Sequence, residues 1–156
     1  MSIELVRAYF ETLGISERIM EFAVSSATVE LAALAVGVEG KRIAKTLSFM
    51  TENGCILIVT AGDARIDNSK FKSQFHCKAK MLSHEDVPHY IGHAVGGVCP
   101  FAVKEDVKVY LDRSLTRFET VFPACGSSNS AIELTMNELE QYSRATAWID
   151  VCKDWQ

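Results

Sequence analysis

Hydrophobic positions along this chain fall into short runs of two different periods. Ile3, Val6, Phe10 and Leu13 recur at three- and four-residue intervals, which predicts an amphipathic helix over 2–13 that Gly14 stops. Arg18 to Ala23 reads as a short strand. Ser26 is placed to cap a helix from Ala27 to Val36, apolar through Leu31, Leu34 and Ala35 and closed by Gly37. Two strand-like runs, Thr46 to Thr51 and Cys55 to Thr60, then flank Asn53-Gly54. Asn-Gly between such runs predicts a hairpin, because both loop residues take φ > 0. If Glu52 pairs with Cys55, then Thr51 faces Ile56, Phe49 faces Ile58 and Lys45 faces Gly62.

Asp67 or Asn68 is placed to cap a short helix, Ser69 to Phe75, and Glu85 to Ile91 predicts another. Lys78 to Leu82, Lys108 to Leu111, Glu119 to Phe122, Ala131 to Leu134 and Ala147 to Val151 read as strands. Thr135, with Glu138 completing a capping box, opens a final helix from Met136 to Arg144. Short strands joined by local turns, with helices scattered among them, indicate an α+β fold. Neither a repeat nor a linker interrupts the chain, so residues 1–156 are expected to form a single domain.

Composition narrows the picture. A hydrophobic fraction of 48% and a charged fraction of 23% are ordinary for a globular protein. No run approaches the ~18 apolar residues of a membrane span, and Met1-Ser-Ile-Glu-Leu lacks the basic start of a secretory signal. The five cysteines, Cys55, Cys77, Cys99, Cys125 and Cys152, are odd in number and contain no Cys-x-x-Cys. Reduced thiols in a cytoplasmic protein fit that pattern better than disulfides or a zinc knuckle. Net charge is −4, yet residues 41–80 alone carry a balance of +5. A basic face on an acidic protein suits a small or terminal anionic group better than a long duplex, although solvated lysines would look the same.

Lys45 is the first chemical candidate. Strand alternation puts it on the face of Leu47, Phe49 and Thr51, where an ammonium must snorkel or line a cavity. An edge lysine that blunts aggregation is the plainer reading. Asp63 and Arg65, in the turn after the second strand, could orient Lys45 or add a phosphate contact. Gly96-Gly97-Val98-Cys99-Pro100 has neither P-loop nor dinucleotide-loop spacing, but its glycines permit close backbone approach to a ligand. Gly126-Ser127-Ser128-Asn129-Ser130 is a second polar loop, explained equally by turn chemistry. Cys99 and Cys125 sit in these loops, and His84, His89 and His93 precede the first. A thiol nucleophile would need one of those bases in reach, whereas an isolated cysteine is ordinarily a small buried residue. His89 and His93 have metal-ligand spacing, which Gly92 interrupts.

Taken in order, several segments resemble the YbaK-like family of aminoacyl-tRNA editing domains, also called prolyl-tRNA synthetase-associated domains. They are Ser26-Ala27 with Leu34-Ala35-Val36-Gly37, Ile43-Ala44-Lys45-Thr46-Leu47, Gly62-Asp63-Ala64-Arg65-Ile66-Asp67, Gly96 to Phe101, Val109 to Asp112, and Gly126 with Ile132-Glu133-Leu134. The resemblance implies a mixed, largely antiparallel barrel-like sheet flanked by several short helices. It also implies hydrolysis of the ester joining a wrong amino acid to the terminal adenosine of tRNA, without a metal or other cofactor. The family's essential lysine matches Lys45 and holds the adenosine phosphate. Its Gly-x-x-x-Pro loop matches Gly96, Gly97, Val98, Cys99 and Pro100, whose backbone shapes the aminoacyl pocket. Substrate contacts are implied at Thr46, Gly62, Asp63, Arg65, Ala124, Gly126 and Ser127. The implied partners are the tRNA acceptor end and, beyond it, an aminoacyl-tRNA synthetase. Relatives acting on cysteinyl-tRNA often carry Ser-Ala-Gly where this chain has Ala124-Cys125-Gly126, which leaves the amino acid open. A non-catalytic binder of tRNA ends or nucleotides is the alternative.

Overall fold

The computed structural model describes residues 2–93 and 95–155. In chain order the strands are β1 (Met20–Glu21), β2 (Ile43–Thr51), β3 (Gly54–Ala61), β4 (Arg65–Ile66), β5 (Lys108–Asp112), β6 (Thr120–Pro123), β7 (Ser130–Ala131), β8 (Leu134–Thr135), β9 (Ala147–Ile149) and β10 (Cys152–Lys153). The helices are α1 (Ser2–Thr12), α2 (Val29–Val36), α3 (Asn68–Phe75), α4 (Asp86–Ile91) and α5 (Met136–Ser143). Six strands form one mixed sheet in the order β8-β6-β2-β3-β5-β9. Its longest ladder is the antiparallel β2–β3 hairpin, while β6 on β2, β5 on β3 and β9 on β5 are parallel. The sheet with its short helices is the α+β arrangement expected.

The hairpin register differs from the expected one by two residues. Thr51 pairs with Gly54, Phe49 with Ile56 and Lys45 with Thr60. Thr51 sets this: its hydroxyl accepts from the Asn53 N–H and donates to the Gly54 carbonyl, closing the turn over Glu52-Asn53. Gly54, at φ +111°, becomes the first residue of β3. Side chains alternate with a period of two, so a two-residue slip leaves each on its expected face.

β3 is buried from Cys55 to Ala61, as its continuous apolar run requires of a strand with neighbours on both sides. Phe49, Phe71, Phe75 and Tyr110 stack in sequence with centroids 4.8–5.1 Å apart, fastening α3 to the hairpin. Full burial of a side chain such as Phe71 contributes about 1.5–3 kcal/mol. Asp67 caps α3 by accepting from Ser69 and Lys70 N–H, and Thr135 and Glu138 form the expected capping box on α5.

Elsewhere the elements depart from the sequence reading. Thr28, not Ser26, caps α2, and Ser26 instead donates its N–H to the Ser128 carbonyl at 2.6 Å. The buried residue of α2 is Ala32, against Ile43 and Phe122, while Leu31 and Leu34 are exposed. A small side chain lets the helix lie close to β2 and β6. Lys78 to Leu82 forms no strand beyond one bridge from Met81 to Phe49. The run Ala131 to Leu134 splits between β7 and β8. Among the described residues, no helix is long and apolar enough to cross a membrane.

Candidate functional site

The site begins as a gap in strand pairing. β6 pairs with β2 only at Ile43 and Ala44, and the segment 80–82 meets β2 only through Met50 N–H to Lys80 C=O and Leu82 N–H to Ser48 C=O. Between them the β2 edge is open. N–H and C=O of one strand residue point to the same side, and alternate residues point oppositely. Ser48 and Met50 direct theirs toward segment 80–82, so Thr46 directs its N–H and C=O the same way, into the gap.

That gap is a cavity of about 290 Å³, near the small end of the ~300–1,000 Å³ usual for ligand pockets. Lys45, Thr46 and Leu47 form one wall, and Gly96 and Val98 another. Val29 and Ala32 of α2 contribute, with Phe122 and Ala124 behind them. Ser26, Thr28, Ser48, His84 and Ser130 supply the polar side chains besides Lys45 and Thr46. Among the described residues the lining is otherwise apolar, and no Asp or Glu is part of it.

Lys45 is half-buried, and its Nζ donates to the Ala64 carbonyl at 2.5 Å. An ammonium has three donors, so two remain. Among the described residues no carboxylate forms an ion pair with it. Burial is the main cause that pushes its pKa below the usual lysine value; Arg65 adds to that, and Cys152, Asp63 and Glu30 oppose it. A desolvated cation without a counter-charge, beside an apolar hollow, has the chemistry to take an anion.

The glycine loop is held by contact with a second loop. A Cβ on Gly97 would lie 2.7 Å from Gly126 C and Ser127 N, so only glycine permits this approach. Gly96, at φ +91°, faces Ser128 and Ala27. Gly126 and Ser127 therefore back the cavity wall without lining it. The Ser127 hydroxyl is used within its own loop, donating to Asn129 Oδ1 or Ser130 Oγ at 3.0 and 2.7 Å. Cys99 and Pro100 are buried on the far side of the loop, and Pro100 borders a separate depression beside Tyr9.

The turn after β3 borders the site without lining the cavity: its Ala64 carbonyl accepts from Lys45, while Gly62, Asp63 and Arg65 are not part of the cavity wall. Gly62 packs against the Gly40 carbonyl and Val29, closely enough to exclude any side chain. Asp63 accepts two hydrogen bonds from the Arg117 guanidinium, at 2.6 and 3.0 Å, which holds its carboxyl below the usual range. Arg65 is exposed on β4, opposite Lys153 of β10. The sequence reading thus brings Lys45, Thr46, Gly96, Val98 and Ala124 to one cavity, with Gly97, Gly126 and Ser127 supporting it. It overlooked Thr28, Val29 and Phe122, for which no motif gives a signal, and gave Leu47, inside the Lys45 motif, no role of its own. Arg117, the partner of Asp63, lies 54 residues away in sequence.

Neither cysteine of the loops is poised as a nucleophile. Cys99 has no exposed surface and burial pushes its thiol up to about 12; Cys125 is shifted the same way by the same cause. His89 and His93 do not form a pair, because α4 ends at Ile91 and Gly92 takes a left-handed conformation. No cluster of three or more His, Cys, Asp or Glu among the described residues is placed to hold a metal ion.

The family profile described as an aminoacyl-tRNA editing domain matches residues 24–142. The uncharacterised protein YwhH of Bacillus subtilis is 55% identical over 157 residues, covering 100% of both chains. EbsC of Enterococcus faecalis, named as a candidate Cys-tRNA(Pro)/Cys-tRNA(Cys) deacylase, is 29% identical over 118 residues, covering 73% of this chain and 72% of its own. The crystal structure of a candidate trans-editing enzyme for prolyl-tRNA synthetase superposes with a TM-score of 0.87 at 29% identity, covering 97% of each chain.

Proposed function

The chain belongs to the aminoacyl-tRNA editing domain family, and from that membership we propose that it is a trans-editing deacylase, one unit over residues 1–156. Its reaction is hydrolysis of the ester between a wrong amino acid and the terminal adenosine of tRNA. The observation that carries this reading is the half-buried Lys45 ammonium, with one hydrogen bond and no ion-pair partner among the described residues, beside a small apolar cavity.

Lys45 binds the phosphate of the terminal adenosine as a point charge and so fixes the ester in the cavity. The open β2 edge at Thr46 and the backbone of Gly96 and Val98 surround the acyl group. Their main-chain groups orient a water, directly or through the 2′-hydroxyl, for attack on the carbonyl carbon and meet the charge that develops on the carbonyl oxygen. The ester C–O bond breaks, and the products are the free amino acid and the tRNA 3′ end. Small walls at Ala27, Ala32, Ala124 and Val98 select a small uncharged side chain by excluding larger ones. Where exclusion fails, one methylene changes binding by only ~1–3 kcal/mol. The names of the similar proteins point to proline tRNA and to the synthetase that charges it as partners.

The test is deacylation of proline tRNA charged with a panel of amino acids. Small wrong amino acids are released far faster than in buffer, and proline is retained. Tight binding of every charged tRNA without release of any amino acid would instead identify a non-catalytic binder of tRNA ends.

A further inference from the structure

We infer that His93 is a positioning residue of the editing site, a clamp across the neck of the glycine loop that fixes the wall formed by Gly96 and Val98. Only the kinetic part of its test rests on the deacylase reading above.

His93 follows directly on the left-handed turn at Gly92 and has no exposed surface. Its Nε2 lies 2.6 Å from the carbonyl oxygen of Phe101, a residue equally buried on the other side of the loop. A carbonyl oxygen only accepts, so Nε2 carries the hydrogen and the ring is the neutral Nε2–H tautomer. Burial disfavours the charged ring as well. The Cys99 thiol reaches the same carbonyl at 3.8 Å and lies 3.5 Å from Nε2, so two side chains converge on one acceptor.

Val95 to Pro100 hold their shape by packing. Among the described residues, no main-chain hydrogen bond reaches them. Their placement relies on the burial of Cys99 in the core, on the contact of Gly97 with Gly126 and Ser127, and on the His93 clamp. The other ring nitrogen sharpens the point. Nδ1 is buried without a hydrogen-bond partner, a cost that an apolar side chain of similar size would avoid. What the imidazole gains is at Nε2, on the loop.

The experiment compares the full-length protein with His93→Gln and His93→Leu. The glutamine amide reaches the position of Nε2 and keeps a donor, whereas leucine fills the space without one. Backbone amide NMR relaxation, amide hydrogen exchange and steady-state deacylation are measured. In His93→Leu the order parameters of the Gly96 to Cys99 amides fall from about 0.85 to below about 0.6, while β2 and β3 keep their exchange protection. Its kcat falls about 10- to 100-fold with KM nearly unchanged, the scale of a reacting group displaced by about 1 Å. His93→Gln keeps wild-type order parameters and recovers kcat to within about 5-fold. Wild-type order parameters in the leucine variant would overturn the proposal, as would a glutamine variant as defective as leucine. Protection lost throughout β2 and β3 would also overturn it, reducing His93 to ordinary core support. The relaxation measurement judges the clamp even if the wild type hydrolyses no charged tRNA, an outcome that would sink the deacylase reading alone.

Discussion

Replacing Gly97 by alanine probes the contact on which the cavity wall rests. The added Cβ would lie 2.7 Å from Gly126 C, 2.7 Å from Ser127 N and 2.8 Å from Gly126 O. Ordinary van der Waals contact begins near 3.4 Å, so the two loops must part by about 0.7 Å, on the order of the overpacking displacements that destabilise cores. All three obstacles are main-chain atoms, and no side-chain rotation absorbs the overlap. Gly97 is not in the left-handed region, so the penalty is steric and not conformational. Overpacking of this kind costs ~1–3 kcal/mol, or a fall of about 3–10 °C in Tm for a domain of this size. A displacement approaching 1 Å at the reacting groups reduces kcat by up to ~10²-fold. Thermal melting followed by circular dichroism and single-turnover deacylation of a mischarged tRNA read the two effects. A variant with wild-type Tm and wild-type kcat would refute the reasoning, because the loops could not then be in the contact described.

Two further outcomes follow from the ionisable groups. The Arg18 guanidinium, with the Thr135 N–H, holds the Glu138 carboxyl down to about 2. A depressed carboxylate pKa contributes stability that is present above its unfolded value and lost as pH falls toward the folded one. Glu138→Gln therefore lowers stability at pH 7, by up to ~1 kcal/mol for a partly exposed pair, and the gap to wild type closes between about pH 5 and pH 2. Urea unfolding at both ends of that range checks it, and a gap that persists at pH 2 would contradict the assignment. Iodoacetamide at pH 8 labels Cys77 but spares Cys99 and Cys125, whose thiols are buried and held protonated. Deacylation survives the treatment. Rapid labelling of Cys99 with parallel loss of activity would restore a thiol mechanism.

What the sequence revealed was set by range. The Asp67 cap, the capping box at Thr135 and Glu138, and the existence of the hairpin depend on residues within a few positions of one another, and each stands in the structure. The hairpin register shifted because Thr51, outside the Asn-Gly pair, takes part in the turn. Ser26 and Thr28 are both competent caps for α2, and the choice falls to the Ser128 carbonyl, 102 residues away, which engages Ser26. Asp63 follows the same logic. Its proximity to Lys45 along the hairpin suggested cooperation, but Arg117 takes the carboxylate, anchored in turn by Phe118 and Trp155. Lys45 and the glycine loop were visible through motif order, whereas the open edge at Thr46 arises from where β6 stops, which no local pattern records.

The claim that matters most is that Lys45 acts on a phosphate. Wild type and Lys45→Met are compared on two small substrates, the same aminoacyl ester of adenosine with and without its 5′-phosphate. A hydrogen bond from a charged group contributes ~1.5–3 kcal/mol, so the substitution lowers kcat/KM on the phosphorylated ester about 10- to 150-fold. On the ester without phosphate the two proteins coincide, and the Tm of the variant is no lower, since burial opposes the ammonium. An equal loss on both substrates, or none on either, would contradict the account.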